Sequence, residues 1–172
     1  MIKRLASRDL RTTFGTFTEI LYYDGQSESI ALVMGEVSGK NDVLCRVHSN
    51  CISAHVFNSI ECSCREEMES AQKLIQNEGR GVIIWLDQEG KGSGHLALMQ
   101  SIAFKKEFGQ AEAYVRAGYK ADARSYIPAV QILSELNVRS IVLLTNATSK
   151  AAEIEREGVP VSAIQPMQID QP

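Results

Sequence analysis

Cys51, Cys62 and Cys64 stand in the pattern C-x10-C-x-C. Three soft thiolates hold Zn²⁺ while leaving the fourth tetrahedral position open. An open position takes a water, and zinc lowers the pKa of that water to roughly 7, which creates a nucleophile at neutral pH. The chemistry this spacing suggests is hydrolysis. Two plainer readings remain open at this level. The trio are ordinary buried thiols, or His48 or His55 adds a fourth ligand and closes a structural site. Cys45 falls inside an apolar stretch, where a free thiol packs as a small hydrophobe, and stays outside the set.

Two further constellations could do chemistry. Asp87 to Gly94 carries three glycines, so its backbone can turn sharply or approach a ligand closely. In Asp122-Ala123-Arg124 a carboxylate able to accept or relay a proton stands two residues from a guanidinium that would keep it ionised. Taken singly, Asp122-x-Arg124 is an ordinary helix N-terminus with a solvent ion pair, Glu89-Gly90-Lys91 a surface turn, and Thr145-Asn146 a strand-to-loop exit.

The elements that must position these residues are legible from periodicity. Phe14 to Tyr23 and Val43 to His48 alternate, and Ile30 to Val37 is continuously apolar, so the first third reads as strands. Asp24-Gly25 and Ser38 to Asn41 supply turns. Met68, Ala71, Leu74 and Ile75 recur at helical spacing in Arg65 to Glu78, with Gly79 as the C-terminal cap. Val82 to Leu86 follows as a buried strand. Beyond the glycine loop the pattern predicts helices at His95 to Phe108, Ala123 to Leu136 and Ser149 to Glu157. Strands are predicted at Ser140 to Leu144 and Val159 to Ile164, and a frayed tail after Gln165. Strands first and alternating helices and strands afterwards argue for an α+β, or mixed α/β, fold.

At 172 residues the length suits one domain spanning 1–172, with its core at about 10–165. The chain is 44% apolar and 23% charged, as soluble globular proteins are. With 18 basic against 21 acidic residues the net charge is −3, so no global positive field exists to capture nucleic acid or a membrane surface. An anionic ligand must meet local cations. Apolar runs are far shorter than the roughly 20 residues a membrane span needs, and Met1 to Leu10 lacks the apolar core of a signal peptide. The expected setting is cytoplasmic.

Arg46-Val47-His48-Ser49-Asn50-Cys51 followed by Cys62-Ser63-Cys64 closely resembles the zinc segment of the GTP cyclohydrolase II family. Gln88 to Lys91, Ala117 to Arg124 and Leu143 to Asn146 through Lys150 look like three further motifs of that family, in the same order and at nearly the same spacing. The resemblance implies a zinc-dependent enzyme that opens the imidazole ring of GTP, with loss of formate and release of pyrophosphate aided by Mg²⁺. It implies one Zn²⁺ per chain on Cys51, Cys62 and Cys64, with Asp122 as proton acceptor and Arg124 engaging or attacking the α-phosphate. Nucleotide contacts would come from Arg46, Val47, His48, Ser49, Asn50, Glu67, Glu89, Gly90, Lys91, Thr145 and Lys150. It also implies a homodimer serving riboflavin biosynthesis.

Three departures bear on the substrate. Ile102 stands where the family has a tyrosine thought to donate a proton. Glu67 replaces a glutamine, and Lys91 an arginine. An ionised carboxylate only accepts hydrogen bonds where an amide also donates, and an ammonium cannot reproduce a planar fork. Glu67 is therefore expected to influence which base is accepted, unless it lies on a solvated helix face. A different nucleotide or heterocycle, and a non-catalytic nucleotide-binding homologue, are the alternatives.

Overall fold

The computed structural model describes residues 1–167 and 169. The last positions of the expected 1–172 span lie outside the described residues, and the frayed tail expected after Gln165 does not hold at Met167, which is buried and makes two main-chain hydrogen bonds with Asn146.

Seven strands form one mixed sheet: β1 Lys3–Thr12, β2 Gly15–Tyr23, β3 Glu28–Met34, β4 Val43–Ser49, β5 Gly81–Leu86, β6 Ile141–Leu144 and β7 Val161–Gln165, in the order β1-β2-β3-β5-β4-β6-β7. β1, β2, β3 and β5 pair antiparallel, whereas β5-β4, β4-β6 and β6-β7 pair parallel. The helices are α1 Ile52–His55, α2 Cys64–Glu78, α3 His95–Phe108, α4 Gln110–Arg116, α5 Ile127–Glu135 and α6 Thr148–Arg156. This is the mixed α/β architecture the periodicity implied.

Side-chain alternation divides the core between the sheet's faces. Val43, Cys45, Val47, Val82, Ile84, Ile141 and Leu143 pack with Ala129, Ile132 and Leu133 of α5 and Ile154 of α6. On the other side Ile83, Leu44 and Leu144 meet Ala71 and Ile75 of α2. Gly81 lets α2 sit close, since a Cβ there would lie 2.6 Å from Ile75 Cγ1. Gly79 ends α2 in the left-handed conformation, and its N–H donates to the Ile75 and Gln76 carbonyls.

Parallel strands β4, β5 and β6 end at one edge of the sheet. His48 is level with Trp85, Ser49 with Leu86, and Cys45 with Leu143. Their carboxyl ends, with α2 on one face and α5 and α6 on the other, form the crevice where open α/β sheets bind ligands.

Several boundaries differ from expectation. β1 was not anticipated, because as an edge strand exposed along most of its length it has no apolar alternation. β3 stops at Met34, ahead of the expected Val37, since Gly35 turns at φ +67°. α5 starts at Ile127 and not at Ala123. Pro128 suits the first helical turn, and Asp122 accepts the Arg124 backbone N–H, which commits 122–124 to a turn. α4 follows the break at Gly109 as an unexpected separate helix.

Candidate active site

The sulfurs of Cys51, Cys62 and Cys64 all lie within 4.8 Å of one another, with Cys51 and Cys62 3.7 Å apart. Cys51 immediately follows β4, across a single extended residue, and Cys64 opens α2, where the helix dipole favours a thiolate. Burial, and then the neighbouring thiols, push Cys51 and Cys64 above the ordinary thiol value. Three sulfurs so close would relieve that penalty by sharing a cation, and an all-thiolate set fits a soft, tetrahedral dication.

Neither histidine joins the group among the described residues. His55 Nε2 lies 3.3 Å from the Cys64 carbonyl oxygen, and His48 Nδ1 faces Arg46. The three sulfurs are thus grouped with no fourth protein ligand among the described residues, as an open coordination position requires.

Glu89 joins this centre to the glycine loop. Its carboxylate is buried, accepts the Ile52 N–H at 2.9 Å and meets His95 Nδ1 at 3.0 Å. Gly90 to Gly92 form a single 3-10 turn in which Gly90, Lys91 and Gly92 all have positive φ. The Lys91 carbonyl accepts the Ala123 N–H at 2.8 Å, and a Cβ on Gly92 would lie 2.7 Å from the Ala123 carbonyl carbon and oxygen. Only glycine admits that approach.

Asp122 and Arg124 form a fork. Arg124 Nε donates to Oδ1 at 2.9 Å and its terminal nitrogen to Oδ2 at 2.5 Å, while Lys91 Nζ stands 4.0 Å from Oδ2. Burial pushes Asp122 up, but the hydrogen bonds from Arg124 and the charge of Lys91 outweigh it and hold the carboxyl below the usual carboxylate range. Asp122 is ionised and able to accept a proton.

Arg46, His48 and Lys150 are buried. Arg46 donates to the Leu144 carbonyl at 3.0 Å and pairs with Glu67, whose other oxygen accepts the Ser63 hydroxyl at 3.0 Å. Glu67 is thus not on a solvated face. Lys150 Nζ donates to the Val47 carbonyl at 3.0 Å, so that the Val47 main chain is engaged and its side chain sits in the core. Burial, then Arg46 and Arg124, lower Lys150 to about 7. Thr145 is buried and its hydroxyl accepts the Ala147 N–H at 3.1 Å, which leaves its proton free to donate. Asn50 Nδ2 donates to Asp87 at 3.2 Å.

Sequence reasoning quoted Gln88 within a motif without assigning it a role. Its amide nitrogen donates to Ser49 Oγ at 3.2 Å and its oxygen accepts the Ser125 N–H at 3.0 Å, bridging the end of β4 to the segment after Arg124. An amide both donates and accepts, which suits it to bridging two segments, and that was the available signal.

The sequence profile of the GTP cyclohydrolase II family matches residues 3–166. The chain belongs to the GTP cyclohydrolase II family. Among its relatives, the protein named GTP cyclohydrolase-2 of Archaeoglobus fulgidus is 38% identical over 161 residues, covering 92% of this chain and 42% of that protein. The riboflavin biosynthesis protein RibBA of Bacillus subtilis is 37% identical over 175 residues, 99% of this chain and 44% of that one. RibBA of Chlorobium phaeovibrioides is 34% identical over 173 residues, again 99% of this chain but 42% of the relative. The chain therefore spans under half the length of these relatives. Among solved structures, that of RibBX, described as a two-domain 3,4-dihydroxy-2-butanone 4-phosphate synthase from A. baumannii, aligns over 98% of this chain and 40% of that one. Its TM-score is 0.55 at 18% identity, a likeness of fold. The family profile spans all four motifs, from the cysteines through the glycine loop and Asp122-Arg124 to Thr145 and Lys150.

Proposed function

We propose that this chain is a zinc-dependent hydrolase that opens the imidazole ring of a purine nucleotide, GTP by default, with loss of formate and release of pyrophosphate. The observation that carries the reading is the short hydrogen-bonded path from the cysteine trio to the carboxylate-guanidinium fork. Ile52, next to Cys51, donates to Glu89, and Ala123, between Asp122 and Arg124, donates to the Lys91 carbonyl. Zinc held by Cys51, Cys62 and Cys64 would supply a water acidified to roughly pKa 7.

The chain's own residues account for the remaining steps. Asp122, kept ionised by Arg124, accepts the proton released when water adds to the ring. Arg124, Lys91 and Lys150 provide the cations a triphosphate requires, with Mg²⁺ accompanying the phosphates, and Arg124 exchanges Asp122 for the α-phosphate when the nucleotide arrives. Ser49, Asn50, Gly90 and Thr145 offer polar or main-chain groups around the nucleotide, while Val47 and Glu89 hold Lys150 and the Cys51 segment in place. A homodimer, a cytoplasmic setting and one unit with its core at 10–165 belong to the same proposal. The apolar stripe Leu96, Met99 and Ile102, exposed at a spacing of three on α3, supports a pairing surface.

A nucleotide with a different base is the second reading, favoured by Lys91, a point charge that cannot form a planar fork, and by Ile102, which supplies no hydroxyl. The test is a nucleotide panel incubated with zinc-loaded protein, scored for formate and for loss of purine absorbance. We expect formate from one purine triphosphate, loss of both metal and turnover in Cys62→Ser plus Cys64→Ser, and retained metal in Cys45→Ser. Arg124→Ala should keep metal and stability while turnover falls steeply. Full zinc occupancy in the double cysteine variant, or no formate from any nucleotide, refutes the proposal.

A further inference from the structure

Arg46 and His48 stand two apart on β4, on the side of the sheet that faces α2 and Glu67. The Arg46 terminal nitrogen lies 3.4 Å from His48 Nδ1. A guanidinium has protons to give and no lone pair to accept with, so Nδ1 is the acceptor. The single proton of the neutral ring then sits on Nε2. The ring is neutral because burial first, then the charge of Arg46, lowers it to about 2.

His48 Nε2 and Arg46 Nε are both buried, and neither has an acceptor among the described residues. Leaving a buried N–H unpaired costs roughly 1–3 kcal/mol. Two such donors on one side of one strand, on residues 98% and 95% removed from solvent, call for an acceptor that the described residues do not provide. Glu67 has one oxygen paired with Arg46 and the other accepting the Ser63 hydroxyl, so its charge is engaged by neighbours within the chain. Its work is internal. It supplies the counter-charge without which a buried guanidinium would be unpaired.

We infer that Glu67 is a positioning residue: through Arg46 it holds His48 as a neutral Nε2–H donor for an acceptor atom, a carbonyl oxygen or ring nitrogen, on the bound nucleotide, and it does not itself read the base. This rests on the proposed nucleotide chemistry, but its structural half can be read without turnover. A direct base-reading role would make replacement of Glu67 reorder substrates, because a mismatched base leaves buried polar groups unpaired. A positioning role lowers the rate on all of them together.

The experiment is histidine-selective ¹⁵N NMR of zinc-loaded protein at neutral pH, with His55→Gln and His95→Gln to assign the His48 ring. The expected pattern is an unprotonated Nδ1 and a protonated Nε2, with the Nε2–H signal moving when GTP or another accepted nucleotide of the panel is added. In Glu67→Gln the tautomer pattern should become mixed, and kcat/KM should fall about tenfold or more for guanine, adenine, hypoxanthine and xanthine nucleotides alike, their order unchanged. Ser63→Ala, which frees one Glu67 oxygen without touching Arg46, should change both readouts less. A proton on Nδ1, a Glu67→Gln spectrum identical to wild type, a reordered preference, or an Nε2–H unmoved by nucleotide would each overturn the inference. Should no nucleotide bind at all, the proposed substrate class falls with it, and the intact tautomer pattern tells that outcome apart from failure of the relay.

Discussion

At the scale of single residues, the site is defined by ionisable groups whose burial sets their charge. Lys150 is the clearest case, an ammonium packed behind β4 with the Val47 carbonyl at 3.0 Å and the Tyr126 ring 5.6 Å away. Its pKa is lowered to about 7 by burial first and then by Arg46 and Arg124. Between that value and the ordinary lysine range the unfolded chain binds a proton that the folded chain does not, so this group makes stability rise with pH. Below about pH 7 both states are protonated and the desolvation cost is present in full. The expected outcome is that wild-type stability relative to Lys150→Met is flat from pH 5 to 7 and rises from pH 7 to 10, by on the order of a few kcal/mol. Urea titrations of both proteins across that range check it, and a falling difference would refute it. A nucleotide triphosphate should keep Lys150 protonated, since phosphate replaces the solvation that burial removes.

At the scale of elements, the segments of the candidate site are held together by close backbone contacts. The 3-10 turn Gly90–Gly92 lies against 122–124 so closely that Gly92, at φ +81°, has Ala123 main-chain atoms where a Cβ would be. Gly92→Ala should destabilise the fold by about 1–3 kcal/mol and abolish most nucleotide turnover, by pushing Asp122 and Arg124 away from the turn. Gly94→Ala has nothing within 4 Å of the added Cβ and bears only the backbone strain of φ +91°, so its effect should be smaller. Urea midpoints and formate release from the two variants decide the matter. Equal effects would mean that contact between the segments contributes nothing. The same reasoning explains why the helix after Arg124 begins late: Asp122 turns back on its own main chain and on Arg124, leaving Pro128 to start α5.

At the scale of the whole molecule, the antiparallel strands at the start of the chain are tied to the parallel, site-bearing half. β5 does most of this, pairing antiparallel with β3 and parallel with β4. Tyr22 adds a second tie. Its phenol, fully buried, donates to Glu135 at the end of α5 at 2.5 Å, 113 residues away. Burial and then Glu135 raise the phenol far above its ordinary pKa, so the proton stays on Tyr22. Tyr22→Phe should cost about 1–3 kcal/mol, the usual penalty for leaving a hydrogen-bond partner unsatisfied, without altering turnover below the melting transition. Thermal melting and kcat/KM of the variant test this, and a loss of turnover in the folded variant would mean that the tie reaches the site.

What the sequence by itself determined follows from local pattern and from motif order. Period-2 alternation marked β2 and β4, helical spacing marked α2, and four ordered motifs identified the family. The cysteine trio was legible as a candidate metal set from C-x10-C-x-C, with plain thiols and a closed structural site left open by the spacing. Tertiary structure alone decided what depends on partners distant in sequence. β1 is a strand because β2 offers it a ladder, not because its own residues alternate. Neither histidine joins the sulfur cluster among the described residues, where Arg46 lies against His48 Nδ1 and the Cys64 carbonyl against His55 Nε2. Glu67 reads as a base contact or a solvated residue until the sheet brings Arg46 to it from 21 positions away. The physical reason is the same in each case. Periodicity reports which face of an element is apolar, whereas the charge state and hydrogen-bond partner of a buried polar group are set by whichever element packs against that face.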